Sequence, residues 1–330
     1  MGLGASVQYT RSTATYDKAS DVIRLVVTPG VSLLRAAPGQ YYYLYQPFRL
    51  KGWESHPFTL GAWTFDGAER NSHTSLVKPF TEMVDPSRAP LMSSSGPASG
   101  NLEPPPSRCE SETFTTTTKL RQSLVFWIRP YGGWTRFLRD QCLRSPTLTI
   151  DSTILLEGPY GDAFPIWEYD SVLLVAGGTG IAAAVPYIQT HQDRSESEQM
   201  SGKARTRPHN LHLVWSCRQR SLIQNIASNE LRQAFESEDF RASLYRTGTN
   251  RSTPDDAAAA SDTLDIENGR PDLRLVVINE AALMAAEGSN SLAVIVCGPS
   301  GMASETREAV CGAIKQGYRG IRYVEESFSW

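Results

Sequence analysis

The sequence predicts a β + α/β chain: a six-stranded antiparallel barrel followed by a doubly wound domain with a parallel sheet. Three observations predict it. Short strand-like runs separated by turn signals fill the first half. After Pro165, fully apolar strands alternate with helical segments, the grammar of a parallel sheet covered on both faces. One of those strands, within 172–181 (VLLVAGGTGI), runs into Gly177, Gly178 and Gly180 and then a helix.

In the first half, residues 22–27 (VIRLVV) form a short apolar strand closed by Pro29-Gly30. Pro38-Gly39 then precedes an aromatic strand at 40–45 (QYYYLY). A further strand is expected at 56–63 (HPFTLGAW), with a break at Asp66-Gly67. From about 66 to 118 the pattern is lost, and 85–113 is crowded with Pro, Ser and Glu. Such a stretch reads as a disordered insert. Strand character returns at 120–129, centred on 124–128 (LVFWI), and 154–156 (ILL) completes the barrel.

The second half reads as strand 172–175, helix 182–191, strand 211–215 (LHLVW) and a helix capped by Ser221 that runs to about Glu238. Strands at 243–245 and 292–296 (LAVIV), a helix at 304–316 and a closing strand at 320–324 follow. Two polar inserts, 193–209 and 247–268, read as solvated loops. A boundary near 164–170 divides a first domain, 1–165, from a second, 166–330.

Composition narrows the function classes. Lys+Arg 32 against Asp+Glu 35 gives a net charge of −3, so no basic field recommends nucleic acid. The five cysteines (Cys109, Cys142, Cys217, Cys297, Cys311) are scattered and form no CxxC pair. That argues against a disulfide framework or zinc site and for a reducing compartment. No apolar leader is visible at the N-terminus. The uncharged stretch 172–188 is too short and too rich in glycine and proline for a membrane span, so the chain reads as cytoplasmic. Nothing argues for a homo-oligomer, and a monomer is expected.

The chemistry concentrates at the ends of strands. Glycine lets a backbone turn tightly and approach a pyrophosphate, whose charge meets the N–H groups of the following helix. Gly177, Gly178 and Gly180 suit that task, although Ala183 stands where the full dinucleotide fingerprint has its last glycine. Cys297-Gly298-Pro299 and Trp215-Ser216-Cys217-Arg218 end their strands in the same way, at the edge where open α/β sheets bind ligands. Arg218 is there either a 2′-phosphate ligand or an ordinary surface arginine. Cys297 is either a site residue or a buried thiol. In the barrel, His56-Pro57-Phe58-Thr59 lies in a strand. Gly132, Gly133 and Thr135, with Thr135 as N-cap, make a second phosphate seat at a helix start.

The ordered set HPFT, IRxxGGWT, GPYG, GGTGI, WxxR, CGP and a terminal aromatic resembles the ferredoxin-reductase superfamily. Within it, the chain is similar to the cytosolic dehydrogenase domain of fungal ferric-chelate reductases and NADPH oxidases, including the ending Glu325-Glu326-Ser327-Phe328-Ser329-Trp330. The resemblance implies FAD and NADPH as cofactors, with no metal required. It places His56, Pro57, Phe58 and Thr59 along the flavin, and Arg129, Gly132, Trp134 and Thr135 on the FAD pyrophosphate. Gly158, Pro159 and Gly161 would turn the chain near both cofactors. Gly177, Gly178, Thr179 and Gly180 would seat the nicotinamide dinucleotide, with Arg218 on its 2′-phosphate. Cys297, Gly298 and Pro299 would lie near the nicotinamide, and Trp330 would stack on the flavin until nicotinamide displaces it. Thr59, Cys297 and Trp330 are thus the implied catalytic residues, and every flavin contact but Trp330 falls in the first domain.

Two departures stand out. Ala182, Ala183 and Ala184 follow Gly180-Ile181 where the family usually has Thr or Ser. No segment with paired haem histidines is present, whereas full-length ferric reductases carry a haem-bearing membrane domain. Three readings follow: a dehydrogenase module working with a separate or absent haem domain at the cytosolic face of a membrane, a freestanding reductase of a quinone, oxygen or carrier protein, and a non-catalytic nucleotide-binding module.

Overall fold

In the computed structural model, residues 8–30, 35–46, 55–66, 121–202, 206–248 and 264–326 are described. The first sheet is antiparallel throughout and has eight strands. They are β1 (Gln8–Asp17), β2 (Val22–Pro29), β3 (Tyr41–Tyr45), β4 (Ser55–Thr59), β5 (Ala62–Asp66), β6 (Arg121–Ile128), β7 (Thr149–Ser152) and β8 (Leu155–Tyr160). Their order is β4-β3-β8-β1-β2-β6-β5, with β7 on β1. Helix α1 (Gly133–Arg144) plugs the sheet with Trp134, Leu138 and Cys142, an i, i+4, i+8 stripe.

Eight strands stand against the expected six, of which the sequence located five, and the reasons are physical. β1 (QYTRSTATYD) has no apolar run; it signals only by alternation, Ser12, Ala14 and Tyr16 facing inward. The expected strand 56–63 divides at Leu60-Gly61, where a Cβ on Gly61 would come within 2.6 Å of the Trp127 ring. β7 (TIDS) is too short and polar to register.

β6 reads as a continuous apolar run because both its faces are covered. Leu124, Phe126 and Ile128 fill the barrel, while Val125 and Trp127 join the core of the second sheet. Polar ties accompany that packing. The Gln189 amide exchanges bonds with the Trp63 backbone at 3.3 Å, and Arg24 reaches the buried Glu230 at 2.9 Å.

The second sheet is wholly parallel, in the order β12-β11-β10-β9-β13-β14. Its strands are β9 (Ser171–Gly177), β10 (Asn210–Cys217), β11 (Phe240–Arg246), β12 (Ile266–Asn268), β13 (Leu292–Cys297) and β14 (Ile321–Glu325). The chain winds outward from β9 to β12, then returns to β13 on the other side of β9. This reversal is the switch point of a doubly wound sheet. α2 (Ile181–Ser201) and α3 (Arg220–Ser228) cover one face, and α4 (Leu273–Ala286) and α5 (Ser300–Lys315) the other. β9 serves both, sending Val172, Leu174 and Ala176 one way and Leu173 and Val175 the other.

Several expectations shift here. Residues 193–201 are not loop but the last turns of α2, closed by Gly202 in the left-handed conformation (φ 64°). Ser221 lies inside α3, whose N-cap is Gln219, and the helix ends at Ser228 rather than near Glu238. α4 falls where no element is expected; its Val276-Val277-Ile278 run is β-branched, yet Asp272 caps it by accepting from Leu275 N at 3.0 Å. Residues 67–120, where the insert is expected, lie outside the described residues. Among the described residues, no helix is long and apolar enough to cross a membrane.

Candidate functional site at the carboxyl edge of the parallel sheet

Two loops meet at the switch point, one after β9 and one after β13, and glycine permits the meeting. A Cβ on Gly177 would stand 2.7 Å from Pro299 Cδ and 3.2 Å from Gly298 Cα. One on Gly180 would stand 2.4 Å from the Cys297 carbonyl oxygen. Gly178 differs: open space surrounds its Cβ position, but φ is +56°, and its carbonyl accepts from Trp215 Nε1 at 3.0 Å. The structure therefore brings Gly177, Gly178, Thr179 and Gly180 beside Cys297, Gly298 and Pro299, at the start of α2. Ala182, Ala183 and Ala184 are all buried, so their methyl groups pack α2 rather than face the edge.

Cys297 belongs to a chain of groups that the sequence does not reveal. Tyr187 on α2 donates to Glu326 at 3.1 Å and accepts from Phe164 N at 3.2 Å. Burial raises the Glu326 carboxyl above its ordinary value, against the Tyr187 bond. Burial, then the nearby Glu326 charge, pushes the Cys297 thiol up to about 12. Cys297 is thus a neutral thiol at physiological pH, not a nucleophilic thiolate. Glu326 is placed by the bond from its N–H to Val296 O at 2.9 Å, just beyond β14. A carboxylate following the last strand is its only sequence signal.

Arg218 is exposed directly after β10. The register pairs Cys217 with Arg246, which brings a second arginine to the same edge, one that sequence reasoning missed.

In the barrel, His56 is exposed and Pro57, Phe58 and Thr59 are half-buried on β4. Phe58 meets Trp134 edge-on, with centroids 5.7 Å apart. Trp134 is only 1 % exposed, so its side chain supports Phe58 and lines no ligand surface. Thr135 is not the N-cap: α1 starts at Gly133, and the Thr135 hydroxyl donates to Gly132 O at 2.8 Å. Its side chain is committed internally. The helix start itself is open among the described residues, because none of them lies within 4 Å of a Cβ on Gly132 or caps it with a side chain.

Arg129 follows β6 at that opening. Its Nη2 donates to Gln219 at 3.2 Å, while its buried Nε has no partner among the described residues. A guanidinium with an unsatisfied donor near uncapped helix amides fits a doubly charged pyrophosphate. Gly158 (φ 143°) and Gly161 (φ 86°) make tight turns against Tyr42 and Gly39, respectively. Trp330 lies outside the described residues. A cavity of about 250 Å³ lined by His209, Asn210, Asp239 and Arg241 sits at the opposite, amino end of β10 and β11.

Residues 169–311 match the model of the family described as ferric reductase NAD binding domain. The chain resembles yeast ferric reductases in sequence. It is 27% identical over 242 residues to "Ferric reductase transmembrane component 5" of Saccharomyces cerevisiae, covering 67% of this chain and 32% of that protein. A match at 23% identity to "Ferric/cupric reductase transmembrane component 2" of the same yeast covers 94% of this chain and 38% of that one. The chain thus spans about a third of the length of these ferric reductase relatives. Among solved structures, a ferredoxin NADP+ reductase from Neisseria gonorrhoeae with bound FAD and NADP matches 98% of this chain and 100% of that chain. Its TM-score is 0.53 at 14% identity. A flavohemoglobin from Malassezia yamatoensis, also at 0.53 and 14%, matches 98% of this chain and 61% of its own. At such identities the likeness to both is one of fold.

Proposed function

We propose that the chain is the dehydrogenase module of a ferric-reductase-type enzyme, an FAD protein that takes hydride from NADPH and passes electrons on singly. The observation that carries this reading is the glycine-packed meeting of the Gly177–Gly180 and Cys297–Pro299 loops at the switch point of a ferric-reductase-type nucleotide domain. The flavin, when bound, supplies the conversion between hydride and single-electron chemistry. The chain's residues bind and orient. Arg129 and the α1 amides meet the FAD pyrophosphate, and His56, Phe58 and Thr59 flank the flavin. Gly177–Gly180 and the start of α2 receive the coenzyme phosphates. Arg218, joined by Arg246, selects the 2′-phosphate of NADPH, as no acidic side chain follows β10 to favour the ribose hydroxyls of NADH. Cys297 presents a neutral thiol beside the nicotinamide, and Glu326 next to it accepts a hydrogen bond from Tyr187.

A membrane-borne electron acceptor is supported by the relatives, whose names describe transmembrane components. A haem-bearing membrane domain, on the same polypeptide or on a partner, would carry electrons toward ferric chelates. The purified chain supplied with FAD should turn yellow and be bleached by NADPH without oxygen. Failure to bind FAD would leave a nucleotide-binding module without this chemistry.

A further inference from the structure

We propose that Gln219 is a positioning residue for the flavin pyrophosphate, acting from the parallel-sheet half of the molecule through Arg129. The inference rests on the reading that Arg129 meets that pyrophosphate. Arg129 and Gln219 lie 90 residues apart, at the carboxyl ends of β6 and β10. Gln219 occupies the N-cap position of α3, where a side-chain oxygen ordinarily accepts from the helix amides. Its side chain makes no such bond. Its Oε1 accepts instead from Arg129 Nη2 at 3.2 Å and from Cys217 Sγ at 3.6 Å.

A guanidinium has five N–H donors and a rotamer-rich stem. One donor is spent on Gln219, and the stem is thereby fixed. The Nε donor remains buried and unmatched among the described residues. An arginine held in this way loses less freedom when an anion arrives, which is the general basis of preorganised binding. Flavin affinity then depends on both halves of the chain, not on the first 165 residues alone. The tether also ends one residue from Arg218, so the two nucleotide seats adjoin through a single side chain.

The test uses the full 330-residue chain, stripped of flavin and titrated with FAD while quenching of flavin fluorescence is followed. Gln219→Leu keeps the volume and Gln219→Ala removes it; each is made alone and combined with Arg129→Ala. Both Gln219 variants should raise the FAD dissociation constant about five- to tenfold, the size expected for immobilising one long side chain. The melting temperature of the flavin-free protein should stay unchanged, as should the visible spectrum at saturating FAD. In the Arg129→Ala background the Gln219 substitutions should add nothing, because the residue acts through the guanidinium. An unchanged constant in the single variants, or an equal further loss in the Arg129→Ala background, overturns the proposal. An Arg129→Ala chain that keeps full FAD affinity contradicts the pyrophosphate seat itself, a result separate from either.

Discussion

At the scale of single residues, the site combines groups that are committed with groups that are not. Arg218 is exposed at the carboxyl edge where the proposal places the coenzyme, and a charged hydrogen bond to phosphate is worth ~1.5–3 kcal/mol. Arg218→Ala should therefore raise the Michaelis constant for NADPH roughly ten- to hundredfold and leave that for NADH nearly unchanged; equal effects on both would end the assignment. Cys297 makes a second prediction. With its thiol pushed up to about 12, it stays protonated near neutral pH, whereas Cys311 is exposed. Alkylation at pH 8 followed by peptide mapping should label Cys311 and spare the half-buried Cys297; rapid labelling of Cys297 would contradict its raised thiol. The sequence showed Arg218 and Cys297 because each directly follows or ends an apolar strand. It could not show that Trp134 and Thr135 turn inward. Nor could it show Tyr187 and Glu326 meeting, since they are 139 residues apart and only packing joins them.

At the scale of elements, the glycine loops are the sharpest test of how sequence becomes site. Gly180→Ala places a methyl group 2.4 Å from a backbone carbonyl, with no flexible neighbour to yield. It should cost about 1–3 kcal/mol, the range for overpacking, and weaken coenzyme binding. Gly132→Ala, which meets nothing within 4 Å among the described residues, should leave the melting temperature nearly unaltered. Matching melts for the two variants would contradict the packed switch point. The apolar strands of the parallel sheet were legible because burial on both faces makes them continuous runs. β1 and β7 were not, because a barrel strand with polar outward positions carries only alternation. α4 was hidden by its β-branched residues, which tertiary packing against the sheet overrides.

For the whole molecule, the buried ion pairs and the proposed chemistry lie at opposite ends of the parallel sheet. At its amino end, Glu280 bonds both His212 and Arg241, and Asp239 bonds the buried His191. Burial alone would raise the Glu280 carboxyl, but His212 and Arg241 outweigh it and hold it below its ordinary value. A carboxyl with a lowered folded-state pKa stabilises the fold above its unfolded pKa, and that contribution fades as pH falls through the folded value. Glu280→Gln should therefore cost about 3 kcal/mol near neutral pH, as expected for breaking a buried pair. Its deficit in melting temperature should shrink as the solution is acidified below the ordinary carboxylate range; a constant deficit would assign Glu280 a role in packing alone. The carboxyl end is where the proposal places the cofactors, with the barrel's Arg129 tied to it through Gln219. If the chain carries hydride from NADPH to FAD, anaerobic titration of the FAD-loaded chain with NADPH should remove the long-wavelength flavin band stoichiometrically, and NADH should remove it much more slowly. A flavin band that NADPH leaves intact would contradict that transfer.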